Sequence, residues 1–453
     1  MWGAARHDRA TGIHQRLLCD VIICGPLEAG GPLMVRGQLD LVGLVQAQHQ
    51  RLRLALSDAA GVALDQVVLT YSHTHAAGHF APDRFTLPGG ELIAVHLEQI
   101  EAQVRTATRA ALDSMREATI EYAITQCTMA ANRDYWDEAR RRYVCGFNPD
   151  APGDTTLVFG RITDQDGEVR GTLVHYACHP TTLAWENSLI SPDYVGTLRQ
   201  LVETSTGQPC VFLLGACGEL GPRDGFVGEL AVAERNGRQV GYAALAALSS
   251  LGLAGTDYAY QGPVVSGATL GIWRHVPVTG ERLQAAAWWQ GGTFTVNLAL
   301  KERPDPAALR QEIQAWEAKA AALDAQGDAL QARDCAAYAE RARRWLAQMD
   351  DFPPGTSYPL SYSVHTMGDV VWVTCGGEPY SEVQQALRQR FPAHLVLVSP
   401  LSGDMQMGYL LPVGRYGRGL YQEEPSILAA GCLETLIAAI GSRILELLPH
   451  VAA

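Results

Sequence analysis

Three histidines stand where apolar runs give way to small polar residues. The run over 66–71 ends in Ser72-His73-Thr74-His75-Ala76-Ala77-Gly78-His79, and the run over 169–177 ends in Cys178-His179-Pro180. His73 and His75 flank one residue, so in a strand they share a face and in a loop they can converge. Neutral imidazole is a favoured zinc ligand, and a short spacing lowers the entropy lost in building a site. Pro180 fixes the chain direction just after His179. Three histidines at strand ends can form an open zinc site with a position left for water. Taken singly, each is more simply an ordinary polar or buried histidine. Glu378, in Cys375-Gly376-Gly377-Glu378-Pro379, adds a carboxylate after glycines that let the backbone approach a ligand closely.

The elements that must position these groups alternate along the chain. Strand patterns fall at 21–24, 33–42 and 66–71, with helical periodicity at 44–59 and a long amphipathic helix at 91–115. Strands are expected at 120–128 and 155–163, with an Arg-rich helix over 135–142 between them. A turn at Asp164-Gln165-Asp166-Gly167 leads into the strand before His179. Helices at 192–204 and 229–251 flank a buried strand at 209–215. The Ala/Glu/Gln/Arg-rich stretch 306–350 reads as two antiparallel helices joined at Gly327. Its plainest role is a structural insertion; a lid or a dimer contact is the other reading. Strands return at 361–367, 370–374 and 395–398, before a short apolar run at 408–411, a Gly/Tyr loop at 416–424 and a closing helix at 431–448. The expected fold class is α/β (α+β): one large mixed-sheet catalytic domain spanning 1–453, with a helical hairpin inserted at 306–350.

Composition excludes several functions. The 453 residues are 47% hydrophobic and 18% charged, with a net charge of −13. An acidic chain with no basic block is a poor partner for nucleic acid or anionic membranes. No run approaches the roughly 18 apolar residues of a membrane span. Lys301 and Lys319 are the only lysines, which leaves little for Schiff-base or P-loop chemistry. The ten cysteines form no CxxC pair, and Cys217 reads as a buried thiol. Residues 1–15 lack the apolar core of a signal peptide. The expectation is a reduced, cytoplasmic protein, secreted only if the true N-terminus lies further upstream. Trp288-Trp289 reads as core or as the lining of an apolar groove.

Read in order, several motifs resemble the neutral/alkaline (non-lysosomal) ceramidase family, especially its short bacterial members without the C-terminal immunoglobulin-like domain. They are Thr70-Tyr71-Ser72-His73-Thr74-His75, His175-Tyr176-Ala177-Cys178-His179-Pro180, Ser191-Pro192-Asp193-Tyr194-Val195-Gly196, Gly215-Ala216-Cys217-Gly218-Glu219, Gly376-Gly377-Glu378-Pro379 and Gly419-Leu420-Tyr421. The resemblance implies one zinc ion per chain, held by His73, His179, Glu378 and Tyr421. It implies catalytic roles for His75, Arg133 and Tyr421, and substrate contacts from His79, Asn132, Arg133 and the loop position Gly221. Asp193 is expected to orient a histidine from behind. The implied activity is hydrolysis of a carbon–nitrogen amide bond by metal-activated water. At Gly221 the family carries Ser or Asn, so the expected substrate is an N-acyl amine or another small ceramide-like amide. Two other readings stay open: zinc-dependent acyl transfer or ring closure in a biosynthetic pathway, and a non-catalytic binding protein. A homo-oligomer is compatible with the sequence.

Overall fold

Three sheets supply the strand ends that the histidines and Glu378 follow. The computed structural model describes residue 7 and residues 9–350, 354–403 and 405–449; residues 1–6, part of the stretch read above for a signal peptide, lie outside it. In the first sheet, β1 (Cys19–Cys24) runs antiparallel to β2 (Met34–Leu39). Helix α1 (Gln46–Ala60) then carries the chain to β3 (Val67–Tyr71), parallel to β2. Leu52, Ala55 and Leu56 of α1 are buried, and the helix stops at Gly61 in the left-handed region (φ 68°). Helix α2 (Glu91–Asp113) buries Leu97, Ile100, Val104 and Thr108, a single stripe at helical spacing.

The second sheet holds β4 (Ala118–Gln126), β5 (Thr156–Asp164) and β6 (Val169–Tyr176). After α3 (Tyr194–Thr206) comes β7 (Cys210–Leu214), in the spatial order β7-β6-β5-β4, with β6 and β7 parallel. Helix α4 (Leu230–Ser250) follows, then a two-stranded ribbon of β8 (Thr256–Val265) and β9 (Thr269–Pro277). The third sheet starts at β10 (Trp289–Ala299). The helical pair α5 (Pro306–Ala325) and α6 (Ala329–Asp350) intervenes before β11 (Ser357–Met367) and β12 (Val370–Cys375). Helix α7 (Glu382–Arg390), β13 (Leu395–Ser399) and α8 (Cys432–Leu447) complete it, in the order β10-β11-β12-β13, with β12 and β13 parallel.

The two-residue period of the strands sets the layers. In β7, Val211 and Leu213 pack with Met34, Val158, Leu173, Val370, Trp372 and Leu397. Cys210, Phe212 and Leu214 face the other way, into the core that holds Leu198 of α3 and Val240 of α4. In β12, Val371 and Val373 turn from Trp372 toward Leu433, Leu436 and Ile440 of α8. The second and third sheets therefore face each other, with helices on both outer sides. Among the described residues no helix is long and apolar enough to cross a membrane.

One expectation is overturned. Residues 135–142 are not a helix: Asp134–Asp137 pairs antiparallel with Arg142–Cys145. Trp136 sits opposite Tyr143, ring centroids 5.1 Å apart, and such cross-strand aromatic pairs favour a hairpin. The Asp137 carboxylate accepts from the Arg140 amide and Arg141 adopts φ 50°, so the arginine run forms the turn. Trp289 packs beside the inter-sheet cluster, and the Trp288 indole donates to the Leu447 carbonyl.

Candidate metal centre

The ends of β3, β6 and β12 converge. Beyond β3, the His73 amide bonds the Leu41 carbonyl and His73 takes φ 66°, a costly conformation for a side-chain-bearing residue. Its Nδ1 lies against the Val42 carbonyl. Beyond β6, His179 Nδ1 lies 2.7 Å from the Cys217 carbonyl and 3.0 Å from that of Leu220. Beyond β12, Gly377 adopts φ 67°, where an added Cβ would strike Met407 Cε at 2.3 Å and the Gly408 carbonyl at 2.8 Å. Only glycine lets the chain turn there and place Glu378. The segment Glu378–Pro379 then pairs in parallel with Tyr409–Leu410, which sets Glu378 beside Tyr409.

Glu378 Oε2 lies 2.8 Å from His179 Nε2 and 3.3 Å from His73 Nε2. His75 Nε2 is 3.3 Å from His73 Nε2, and one nitrogen from each of the three histidines lies within 4.8 Å of the others. Burial pushes the His179 imidazole down to about 4, and the Arg133 charge adds to this. Burial, then the neighbouring His73 and His179, push His75 down as well. Burial opposes the charge on Glu378, but His73 and His179 outweigh it and keep the carboxylate ionised.

Arg133 enters from the turn between two short strand pairs. Its Nη2 donates to the Gly218 carbonyl at 2.6 Å and to the Tyr409 hydroxyl at 3.2 Å, and lies 3.4 Å from His179 Nε2. Burial works against its charge, and Cys145, Tyr409 and Glu378 around it more than offset this. Tyr409 is buried and its hydroxyl bonds Glu378. Tyr421 is 44% exposed and stands outside Tyr409, ring centroids 6.0 Å apart.

No family model matches the chain. Among solved structures, a ceramidase complexed with C2 superposes over 100% of this chain and 74% of its own, with TM-score 0.63 and 14% identity. The neutral ceramidase from Pseudomonas aeruginosa does so over 99% and 72%, with TM-score 0.63 and 15% identity. The chain has the neutral ceramidase fold.

The residues at the strand ends of this ceramidase fold suit a divalent metal. A carbonyl oxygen only accepts, so Nδ1 of His73 and of His179 must carry the proton. In a neutral ring Nε2 then bears a lone pair, and both Nε2 atoms face a carboxylate oxygen. A nitrogen and a carboxylate oxygen at 2.8–3.3 Å are joined either by a proton on Nε2 or by a metal ion between them. Ligand atoms around tetrahedral zinc at about 2.0–2.1 Å stand about 3.3 Å apart, close to these spacings.

The remaining site residues sit at varied distances from this centre. Asn132 is buried, and its side-chain oxygen accepts from the Asp134 amide. Gly221 pairs with Ala131, and a Cβ there would touch Arg133 and Thr181 at ordinary contact distance. His79 is half-buried in the loop after His75, and burial, then Arg84 and Arg344, push it down to about 3. The Asp193 carboxylate accepts from the Leu183 and Tyr194 amides, so what it holds is the loop after His179. Cys217 is buried, and burial raises its thiol well above the usual range.

Tyr409 had no place in the sequence reading, where 408–411 is merely short and apolar. Nor did Asp134, which accepts from Tyr380 at 3.0 Å and from Gln422 at 2.7 Å and so ties the Tyr421 loop to Arg133. Glu219 accepts from the Ser381 amide at 2.8 Å and steadies the turn after Glu378. Burial, and then Glu382, raise that carboxyl to about 8. For Tyr409, the available signal was Gly408 at φ 70°, where a Cβ would strike the Pro425 carbonyl.

Proposed function

We propose that this chain is a zinc-dependent hydrolase of carbon–nitrogen amide bonds in N-acyl amines or ceramide-like small molecules. The observation that carries the reading is the cluster of ligand atoms: two Nε2 nitrogens around one carboxylate oxygen of Glu378, with a third imidazole beside them. His73, His179 and Glu378 would hold the metal, and the phenol beside Glu378 is Tyr409 rather than the expected Tyr421. When bound, zinc supplies a Lewis acid and brings the pKa of a water toward neutrality. His75, kept neutral by burial, can take a proton at Nε2 and return it to a leaving amine. Arg133, fixed by the Gly218 carbonyl, keeps donor groups for a carbonyl oxygen as charge develops on it. Tyr421 closes the outer side and faces the substrate. The ceramidase names of the superposed structures favour an acyl amide as substrate.

The test is metal analysis of the purified chain, together with turnover of a panel of N-acyl amines. About one zinc per chain, lost in His73→Ala and Glu378→Ala together with amide cleavage, is the expected result. Well-folded protein that takes up no zinc from a zinc-containing buffer would overturn the reading.

A further inference from the structure

The helical pair α5–α6 leaves and rejoins the third sheet at adjacent points. Ala299 and Ser357 are directly paired, and the Leu300 amide bonds the Thr356 carbonyl at 2.9 Å. The β10–β11 ladder would close with a short turn, so the sheet does not require the insertion. Yet α6 is tied by charge to both loops that flank the metal centre. Glu340 pairs with Arg84, in the loop that follows His79. Arg341 donates to Glu424 at 2.9 Å, three residues beyond Tyr421.

Arg344 lies one turn beyond Glu340 on the same side of α6. It is half-exposed, and its carboxylate partner is Glu340 at 3.9 Å. Glu340 also serves Arg84 and, at 3.4 Å, Arg343. Arg84 has a second partner in Asp83 at 3.2 Å and Arg343 one in Glu317 at 2.5 Å. Among the described residues Arg344 is therefore the least compensated cation of the group. Its charge reaches both flanking loops, at His79 and at Tyr421. Because Glu340 is shared among three arginines, the Arg344 guanidinium keeps donor groups that an anion from outside could take up.

We propose that α6 forms a wall of the site mouth, and that Arg344 is the residue through which this wall favours substrates with an anionic group beyond the amide, as in an N-acyl amino acid. A planar guanidinium matches a carboxylate with paired hydrogen bonds, which a neutral amide cannot reproduce. The choice of substrate rests on the amide-hydrolase reading; the wall does not.

The test needs no turnover. Diethyl pyrocarbonate modification of His79, read by mass spectrometry, is followed with N-dodecanoylglycine, with its neutral carboxamide and without ligand. The proteins are the wild type, Arg344→Gln, and a chain in which residues 302–355 are replaced by Asn-Gly. In the wild type the acid should protect about tenfold better than the carboxamide, the order expected of one charge-assisted pair. Arg344→Gln should erase that difference, and the shortened chain should be modified faster without ligand. Equal protection by the two ligands in the wild type, or a preference that survives Arg344→Gln, would overturn the anion assignment. An unchanged rate at His79 in the folded shortened chain would overturn the wall. If that chain does not fold, Glu340→Gln combined with Arg341→Gln loosens the same helix and carries the same expectation. Protection without amide cleavage would sink the hydrolase alone; cleavage without acid preference would sink this inference alone.

Discussion

The candidate metal centre and the α5–α6 pair are held by opposite means. At the centre, His73, His179 and Glu378 are buried and the backbone is pinned: His73 at φ 66°, Gly377 at φ 67°, and His179 by two carbonyls on its Nδ1. On α6, the groups that face the body are partly exposed ion pairs at the end of an excursion from one strand hairpin. Packing fixes the first to fractions of an ångström, whereas solvated charges hold the second more loosely. Rigidity is thus concentrated where a metal would need it, and adaptability where a variable substrate would pass.

The largest expected difference between the two regions is in metal binding. Glu378→Ala leaves only neutral imidazoles, and zinc affinity should fall by more than about 100-fold, beyond what loss of an outer-shell partner costs. Glu340→Gln should leave affinity unchanged. Competition with a fluorescent chelator measures both, and equal losses would erase the distinction.

The next largest contrast is between two glycines. Gly377→Ala meets both a left-handed backbone and the Met407 and Gly408 clashes, so it should cost roughly 3 kcal/mol. Gly327→Ala, at φ 80° with nothing within 4 Å, meets only backbone strain and should cost roughly 1 kcal/mol. Denaturant unfolding of the two variants separates them.

Acid sharpens the same contrast. Burial pushes His49 down to about 3, and His175 and His365 down to about 4. All three are neutral in the folded core and take up protons more readily once unfolded. Their stabilisation is complete above the unfolded value near 6.5 and is lost as pH falls toward 4, on the order of 3 kcal/mol for each group. Unfolding measured across that window should show the decline. The chain shortened at 302–355 should show the same decline, because all three histidines lie outside α5–α6. His175→Asn should remove about one third of it.

Much of this was legible because each site residue follows an apolar run whose period is plain, as Val67–Tyr71 is before His73. Pairings between distant segments were not. Tyr409 reaches the site only because Glu378–Pro379 and Tyr409–Leu410 form a parallel pair, and within 408–411 only Gly408 hints at the tight turn before it. The β8–β9 ribbon is exposed on both faces, with Tyr258, Val265 and Trp273 in solvent, so it lacks the alternation that marks a half-buried strand. Helix propensity misled at 135–142, where the Trp136–Tyr143 pair and the Asp137 turn prevailed over the arginine run.

The smallest expected effect tests the looser region directly. Arg341 pairs with Glu424 at 2.9 Å, also lies 3.6 Å from Glu312, and stacks over Tyr338 and Trp345. Both partners of the Glu424 pair are partly solvated, so Arg341→Gln should cost under about 1 kcal/mol of global stability. It should nevertheless raise amide exchange in 416–424, because that pair is what ties the loop to α6. Hydrogen exchange read by mass spectrometry resolves the loop from the sheets. A global loss well above that figure would mean that α5–α6 is part of the packed fold. Unchanged exchange in the loop would mean that its position is set from the other side, by Gln422 on Asp134.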